Sequence, residues 1–460
     1  MNQTFMGLEI SLKHSSSLDP GFLPLAKVFA AYEQKTGGGD AAGIAVERPG
    51  GRDVFRFNME NSLSPTELDK YMAWLLIKSV LWICGGKKLF IAGSPALAEY
   101  IRGLKALDFD RDMMETIYEG PLEVISVSLD ELPAGDSSGA AKAGQSLKGC
   151  RLGFDAGGSD IKVSAVVDGE AIFSQEIIWH PKITADPAYH YEHILDAMKL
   201  AAEKMPRVDS IGVSSAGVYV NNRTMVASLF MQVPKAQFDS HVRDIYPRAA
   251  AAIGPVPLTV ANDGDVTALA GAMELGEGRV LGIAMGTSEA GGYIDKNMSI
   301  TGWLNELAFA PVDGNPLACL DEWSGAPGTG VKYFSQDAVI KLAPAAGIDL
   351  DPNLSPAEKL KAVQKLMAEK DPRAWEIFAA IGMYLGYTLA YYSRFYDIGH
   401  LLLMGRVLSE EGGALIVEKA RAVLKDEYPA LNESIKIHLP DEKSRRVGQS
   451  VAAASLESSQ

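Results

Sequence analysis

Residues 153–162 read GFDAGGSDIK, which predicts a β-hairpin whose turn holds an acid, two glycines and a serine. Such a turn exposes backbone N–H groups to phosphate oxygens, because glycine has no side chain in the way. Asp155 could bind Mg²⁺ directly or through water. The candidate phosphate-binding residues are Gly157, Gly158, Ser159 and Lys162. Taken alone, the pattern also fits an ordinary glycine-rich hairpin turn.

A second turn of the same kind lies in residues 281–294, LGIAMGTSEAGGYI, again between two strand-like runs. We expect Gly286, Thr287 and Gly291 to hold the outer phosphates of a nucleotide, with the Thr287 hydroxyl donating to the terminal one. One such turn proves little. Two of them, each opening an α/β half, form the arrangement that closes over a triphosphate from both sides.

Between the two turns, residues 260–266 read VANDGDV, a strand end that leads into a helix. A carboxylate at the C-terminal edge of a strand, in a cleft between two α/β halves, can accept a proton from an attacking hydroxyl. Asp263 is therefore the candidate general base, and Asn262 a candidate substrate ligand. Helix capping is the alternative, because Asn and Asp are preferred N-cap residues. Both can hold if Asp265 caps the helix while Asp263 faces the cleft.

A fourth segment, residues 400–413, reads HLLLMGRVLSEEGG and predicts a strand that ends at Gly405 before a helix. The base and ribose of a nucleotide could lie over Gly405, since it has no side chain. By itself this is a generic strand-to-helix turn.

In this order and spacing, the four segments resemble the phosphate loops, the catalytic Asn-Asp segment and the adenosine turn of the ROK family of sugar kinases and sugar sensors. Residues 214–222, SSAGVYVNN, resemble its Pro-Gly hairpin, and residues 447–456, VGQSVAAASL, its C-terminal helix. The resemblance implies an α/β fold of the two-lobed actin-like ATPase (ribonuclease H-like) type. It also implies ATP and Mg²⁺ as cofactors, a small-molecule sugar as acceptor and a homodimer.

On the sugar side the sequence departs from the family. ROK proteins bind the sugar with two glutamates and hold a structural zinc with a histidine and three cysteines. Here Glu306 remains, Phe309 stands at the histidine position, and only Cys319 is left of the cysteine cluster. One thiolate without an imidazole cannot form a tetrahedral zinc site, so we expect no structural zinc. Two acids stand where the second sugar ligand is expected: Asp321 and Glu322.

A further departure concerns the second phosphate loop, where Glu289 interrupts the glycines. A carboxylate beside ATP phosphates is unfavourable unless a cation offsets it, so Glu289 could instead point outward or toward the sugar.

The leading interpretation is an ATP-dependent sugar kinase. A non-catalytic sugar or nucleotide sensor is the alternative, and an ATPase that moves a partner protein is a third.

The chain is expected to divide at residues 134–149, a stretch of Gly, Ala, Ser and Lys typical of a linker. It separates an additional N-terminal α/β domain (1–133) from a first lobe (150–276) and a second lobe (277–460). The order hairpin, helix, strand, helix in the N-terminal segment could mark a degenerate ribonuclease H-like half. An unrelated small α/β domain is the alternative. Its α/β pattern disfavours a DNA-binding repressor, since family repressors carry a helix-turn-helix there.

Composition excludes several classes of partner. A formal charge of −15 over 460 residues repels nucleic acid, and three cysteines are too few for a disulfide framework. The N-terminus lacks the basic start and apolar run of a signal peptide, and no apolar stretch is long enough to span a bilayer. We therefore expect a cytoplasmic protein that binds neither nucleic acid nor membranes.

Overall fold

The computed structural model describes residues 1–137, 141–144, 147–409, 411–439 and 442–457. Its β-strands are β1 (Asn2–Phe5), β2 (Leu8–Ser11), β3 (Asp40–Arg48), β4 (Gly51–Met59), β5 (Lys88–Ala92), β6 (Glu123–Val127), β7 (Ala141–Lys142), β8 (Cys150–Ala156), β9 (Asp160–Val167), β10 (Glu170–Ile178), β11 (Ser210–Ser215), β12 (Val218–Val220), β13 (Arg223–Val226), β14 (Leu258–Asn262), β15 (Val280–Met285), β16 (Glu289–Ile294), β17 (Ser299–Ile300), β18 (His400–Met404) and β19 (Lys436–His438). The α-helices are α1 (Leu25–Thr36), α2 (Glu67–Ile83), α3 (Pro95–Gly103), α4 (Asp108–Tyr118), α5 (Pro187–Ala202), α6 (Lys235–Gln237), α7 (Ile245–Ile253), α8 (Asp263–Leu275), α9 (Gln336–Leu342), α10 (Pro356–Ala368), α11 (Pro372–Tyr392), α12 (Glu411–Glu427), α13 (Pro429–Ser434) and α14 (Glu442–Ala454). Within these ranges, no helix is both long and apolar enough to traverse a bilayer.

Two sheets with the same strand order form the body of the molecule. The first has the order β10-β9-β8-β11-β14, and the second contains β17-β16-β15-β18-β19. In each, the first strand along the chain is antiparallel to the second and parallel to the fourth. The two predicted glycine-rich hairpins are the β8–β9 and β15–β16 pairs. Each therefore opens one copy of the same α/β half, as the sequence predicts.

Helices α8 and α14 cross from one lobe to the other. Helix α8 follows β14 of the first lobe, yet Val266 and Leu269 pack with Leu402 of the second sheet. Helix α14 follows the second sheet, but the Ser450 hydroxyl lies 2.7 Å from that of Ser164 in β9. The lobes therefore meet where β14 ends and α8 begins, upstream of the predicted boundary at residue 276. Asp263 lies at this junction.

The N-terminal sheet has the order β4-β3-β5-β6 and differs from the other two. Strand β3 is antiparallel to both of its neighbours, β4 and β5, and only β5 and β6 run parallel. In the two lobes, the corresponding first strand has one parallel neighbour. The strand pairing thus does not repeat the half-fold that the order of elements suggested.

The N-terminal segment, residues 1–133, shares one hydrophobic core with the second lobe. Phe29 of α1 packs on Tyr391 of α11, with ring centroids 5.4 Å apart, and the Ser79 hydroxyl of α2 lies 2.6 Å from the Tyr391 hydroxyl. Strand β7, inside the predicted linker, pairs with β17 of the second lobe. Residues 138–140 and 145–146 of that linker lie outside the described residues. The segment is therefore built onto the second lobe.

Candidate functional site

The first glycine turn brings an acid and a lysine to the end of β8. Asp155 is buried and accepts a hydrogen bond from the Ser214 hydroxyl at 2.6 Å, while Lys162 Nζ lies 3.8 Å from its other oxygen. Burial raises the pKa of Asp155 above its usual value. Gly158 and Ser159 are exposed at the tip of the turn. The tip is therefore open to a ligand, and the acid lies beneath it.

The second turn is similarly open. The Gly286 N–H donates to the Ser288 carbonyl at 3.0 Å, and Thr287 is exposed. A Cβ added at Gly286 would meet no atom closer than 3.7 Å, so packing within the protein does not require this glycine. Gly405 has a φ of 106° and lies against the backbone of Met285 at the end of β15. The predicted nucleotide surface and the second phosphate turn are thus adjacent.

The start of α8 connects the two turns. Asn262 caps the helix by accepting from the Gly264 N–H at 2.7 Å, and it donates to the Gly217 carbonyl at 2.7 Å. A Cβ at Gly264 would collide with the carbonyl of Gly291, so the backbones of α8 and β16 touch. This crossing explains the glycine at position 264. Gly291 is buried and does not lie at the open tip, and a Cβ there would meet the Asn305 carbonyl and the Leu307 side chain, each at 2.7 Å.

Asp263 is half-buried beside this crossing. Burial, and then the negative charge of Asp155, raise the pKa of Asp263 to about 6, while Lys182 lowers it. The acids of the first turn and of α8 therefore lie close enough to influence each other's ionisation. A carboxyl group that titrates near 6 can accept a proton at neutral pH.

Glu306 completes an acidic group at the junction. Burial raises its pKa to about 7, and the charges of Asp263 and Asp265 add to the shift. Asp265 accepts from the Tyr293 N–H at 3.0 Å and from the Asn305 amide at 2.9 Å. Asp265 thus ties α8 to β16 and to the Glu306 segment and does not cap the helix. The charge of Asp155 acts on Asp263, and the charge of Asp263 acts on Glu306, so these acids lie near one another; that they form one reaction site stays a prediction.

No protein-family model matches the chain, and no curated protein matches it. Among solved structures, a ROK family transcriptional regulator described as a homologue of the E. coli MLC protein superposes with a TM-score of 0.50 at 16% identity, covering 67% of this chain and 79% of its own. The fold is that of the ROK family. This confirms the actin-like two-lobed α/β fold that the motif resemblance predicts.

Two ROK kinases give lower scores. A hexokinase from Thermus thermophilus has a TM-score of 0.49 at 20% identity, covering 66% of this chain and 97% of its own. A glucokinase from Streptomyces griseus, in complex with glucose and AMPPNP, has a TM-score of 0.46 at 19% identity, covering 67% and 98%.

The ROK resemblance places a second sugar ligand at Asp321 or Glu322, but neither is brought to the acidic group. Asp321 accepts from the N–H and hydroxyl of Ser324 at 2.8 and 2.6 Å within its own loop. Glu322 is ion-paired with Lys332.

Aromatic rings surround the position of the ROK zinc histidine. Phe309 lies 4.5 Å from Trp82, 5.7 Å from Phe109 and 5.2 Å from Trp323, measured between ring centroids. Cys319 is exposed nearby in sequence. The described residues contain no cluster of three or more His, Cys, Asp or Glu side chains suited to a metal ion.

Glu289, which interrupts the ROK phosphate loop, points into the second lobe. Its side chain is buried, both carboxyl oxygens lack a hydrogen-bond partner, and the Cα of Gly330 lies against it. Burial raises the pKa of Glu289 well above its usual value. Since the side chain faces the interior of the second lobe and not the open tip of the turn, the conflict expected from the sequence does not arise.

Replacing Glu289 by Leu should stabilise the protein by about 1–3 kcal/mol at pH 8, because a buried polar group without a partner is removed. In the wild-type protein, the pKa of Glu289 in the folded state lies above the unfolded value of 4.5. The contribution of Glu289 to stability is therefore complete below pH 4.5 and declines as pH rises. Urea unfolding at pH 5 and pH 8 tests this: the gain should be larger at pH 8. The exposed Glu192→Leu is the control, and an equal gain at both pH values would contradict the prediction.

Lys182 is a site residue that the motifs did not reveal. It is exposed, and a Cβ at Gly158 would lie 3.0 Å from its Cε and 3.2 Å from its Nζ. It also lowers the pKa of Asp263. A lone lysine between β10 and α5 matches no pattern, and only the folded first lobe brings it over the phosphate turn.

A cavity of about 400 Å³ lies beside the junction. The N-terminal segment contributes Arg48 and Tyr118, the first lobe Asn262, and the second lobe Trp303. Its volume falls within the range of small-molecule sites, about 300–1,000 Å³. All three parts of the chain therefore line one cavity beside the start of α8.

Proposed function

We propose that this protein transfers the terminal phosphoryl group of ATP to a hydroxyl group of a sugar or sugar-like acceptor. The observation that carries the proposal is that Asp263, a half-buried acid with a pKa of about 6, lies close enough to Asp155 of the first turn and to Glu306 for their charges to interact. Positioning and charge stabilisation account for most of the catalysis of phosphoryl transfer. Here Asp263 would help to position the acceptor, and Mg²⁺ held by Asp155 would supply the positive charge.

The residues present fit Mg²⁺ and ATP. Gly158 and Gly286 leave the tips of both turns open, and Asp155 is a carboxylate at the base of the first turn. Asp155 would hold the magnesium ion, the backbones at both tips and the Thr287 hydroxyl would hold the phosphates, and the nucleoside would lie over Gly405. Bound Mg²⁺ would offset the charge that develops on the transferred group.

Three side chains would interact with the acceptor or with the charged groups near it. Asp263 would accept the proton of the attacking hydroxyl, and Glu306 would accept hydrogen bonds from the other hydroxyls. Lys182 would face the phosphates and help to keep Asp263 ionised. We also propose a homodimer, which the ROK resemblance implies, and a cytoplasmic location, which the few and scattered cysteines favour.

Replacing Lys182 by Gln should raise the KM for ATP about tenfold, equivalent to about 1.4 kcal/mol of lost binding. It should also move the acidic limb of the pH–rate profile to higher pH, because loss of the cation raises the pKa of Asp263. Lys182→Arg keeps the charge and should retain both properties. An unshifted profile in the Gln variant would contradict the assignment.

The proposed function is tested by a thermal-shift screen of hexoses, amino sugars and polyols, with and without Mg-ATP, followed by an ADP-release assay on the hits. We expect at least one compound to stabilise the protein and to stimulate ADP release. If stabilising compounds cause no ADP release above background, the kinase proposal fails.

That outcome would favour the second candidate, a non-catalytic sugar sensor. The structure superposed with a TM-score of 0.50 is described as a transcriptional regulator, so the ROK fold also serves such a role. One sequence feature that suggested a sensor, Glu289 in the phosphate loop, no longer supports it, since the side chain faces the core.

A further inference from the structure

The acceptor loop, which we define as residues 301–309, carries Glu306 and requires a firm support. The ROK pattern implies that a histidine and three cysteines anchor this region through zinc. Here Phe309 occupies the histidine position, and Cys319 is a single exposed thiol. The loop must therefore be held by other means.

The last turn of α2, in the N-terminal segment, supplies one anchor. The Glu306 N–H donates to the carbonyl of Trp82 at 3.0 Å, and the Asn305 N–H donates to the carbonyl of Ile83 at 3.0 Å. The final carbonyls of a helix have no partner within the helix. The loop satisfies two of them, and the backbone of Glu306 is thereby tied to α2.

Aromatic packing supplies a second anchor. Phe309 contacts the rings of Trp82 and Phe109 from the N-terminal segment. The indole N–H of Trp82 donates to Asp110, which also forms a fully buried 2.6 Å ion pair with Lys78. The Trp82 ring that receives Phe309 is therefore held in place by a buried, ion-paired acid.

The segment that follows α2 also packs closely against the acceptor loop. Gly85 has a φ of 76°, and a Cβ there would collide with the Tyr118 hydroxyl and approach Leu304 Cγ to 2.6 Å. A side chain at this position would therefore displace either α4 or the acceptor loop.

We propose that the N-terminal segment is the built-in support of the acceptor loop and replaces the metal in that role. Trp82, Gly85 and Phe309 are positioning residues that hold Glu306 where an acceptor binds. The proposal rests on the proposed function only in treating Glu306 as an acceptor ligand.

The test compares Gly85→Ala with Gly93→Ala in the full chain. Gly93 has a φ of 86°, and a Cβ there would meet the Ala41 carbonyl at 2.6 Å and Leu129, both within the N-terminal segment. Both substitutions impose backbone strain, but only the first touches the acceptor loop. Phe309→Leu is a third variant, which keeps an apolar side chain and removes the ring contacts.

Hydrogen exchange of the ligand-free proteins is the readout. We expect the Asn305 and Glu306 amides to exchange at least about tenfold faster in Gly85→Ala and Phe309→Leu than in wild type or Gly93→Ala, as loss of local protection raises the open population. Addition of EDTA should leave wild-type exchange unchanged. Equal exchange in all variants, or faster exchange with EDTA, would overturn the proposal.

Kinetics separates positioning from simple loss of stability. With the hexose that gives the strongest ADP release, Gly85→Ala should raise the acceptor KM about tenfold with little change in the KM for ATP, and Gly93→Ala should change neither. The exchange result does not depend on turnover. Failure of the kinase proposal would therefore leave the support role of the N-terminal segment untouched. Normal exchange in an active Gly85→Ala variant would overturn that support role and leave the kinase proposal unaffected.

Discussion

Replacing Asp263 by Asn will lower the turnover number for acceptor phosphorylation by about 10²–10⁴, the usual effect of losing a general base. The amide cannot take the proton of the attacking hydroxyl. Asn262 still caps α8 and Gly264 still packs on β16, so the backbone of the junction should be preserved. ADP release at saturating acceptor measures the loss, and a thermal shift with Mg-ATP should show that nucleotide binding remains.

The matched control is Asp196→Asn, which changes an exposed acid on α5. It should have wild-type turnover. In the wild-type enzyme, the rate should fall as pH drops below about 6, because Asp263 must be ionised to act as a base. An Asp263→Asn protein that binds ATP and retains full turnover would eliminate the assignment.

Replacing Asp155 by Asn should reduce turnover by about 10²–10³, the range seen when one charge-stabilising group of a reaction site is removed. The Asn oxygen can still accept from the Ser214 hydroxyl, so the fold of the turn should survive. The ionic ligand for magnesium is lost, however. A magnesium titration followed by thermal shift at fixed ATP should show weaker magnesium-dependent stabilisation.

Asp168→Asn is the control for that variant, because it lies at the other end of the hairpin and accepts the Gly149 N–H at 2.9 Å, as Asn can. It should behave as wild type. Undiminished magnesium-dependent stabilisation in Asp155→Asn would show that the metal is held elsewhere.

Local patterns predicted the elements that carry the site. The hairpins at residues 153–162 and 281–294, and a helix that starts beside Asp263, follow from glycine, acid and strand patterns over short stretches. That Asp155, Asp263 and Glu306 belong to one site is an expectation that the ROK resemblance implies. The hairpins and the helix start depend on neighbouring residues, so the sequence reveals them, whereas the grouping of the acids follows only from the family pattern.

The other features of the candidate site depend on packing between segments that are distant in sequence. The inward orientation of Glu289, the contact between Gly264 and Gly291, and the approach of Lys182 all depend on distant segments meeting. The same is true of the N-terminal segment, whose core is continuous with the second lobe. Nothing in the sequence of residues 1–133 predicts that the C-terminal end of α2 contacts residues 301–309.

The central claim is that both glycine turns bind one nucleotide, with Asp263 between them. Hydrogen exchange of the wild-type protein with Mg²⁺ and a non-hydrolysable ATP analogue tests it most directly. We predict simultaneous protection of the amides at 157–160 and 286–288 at saturating analogue. Protection of one turn alone, or of neither, while the analogue is bound, would contradict the claim.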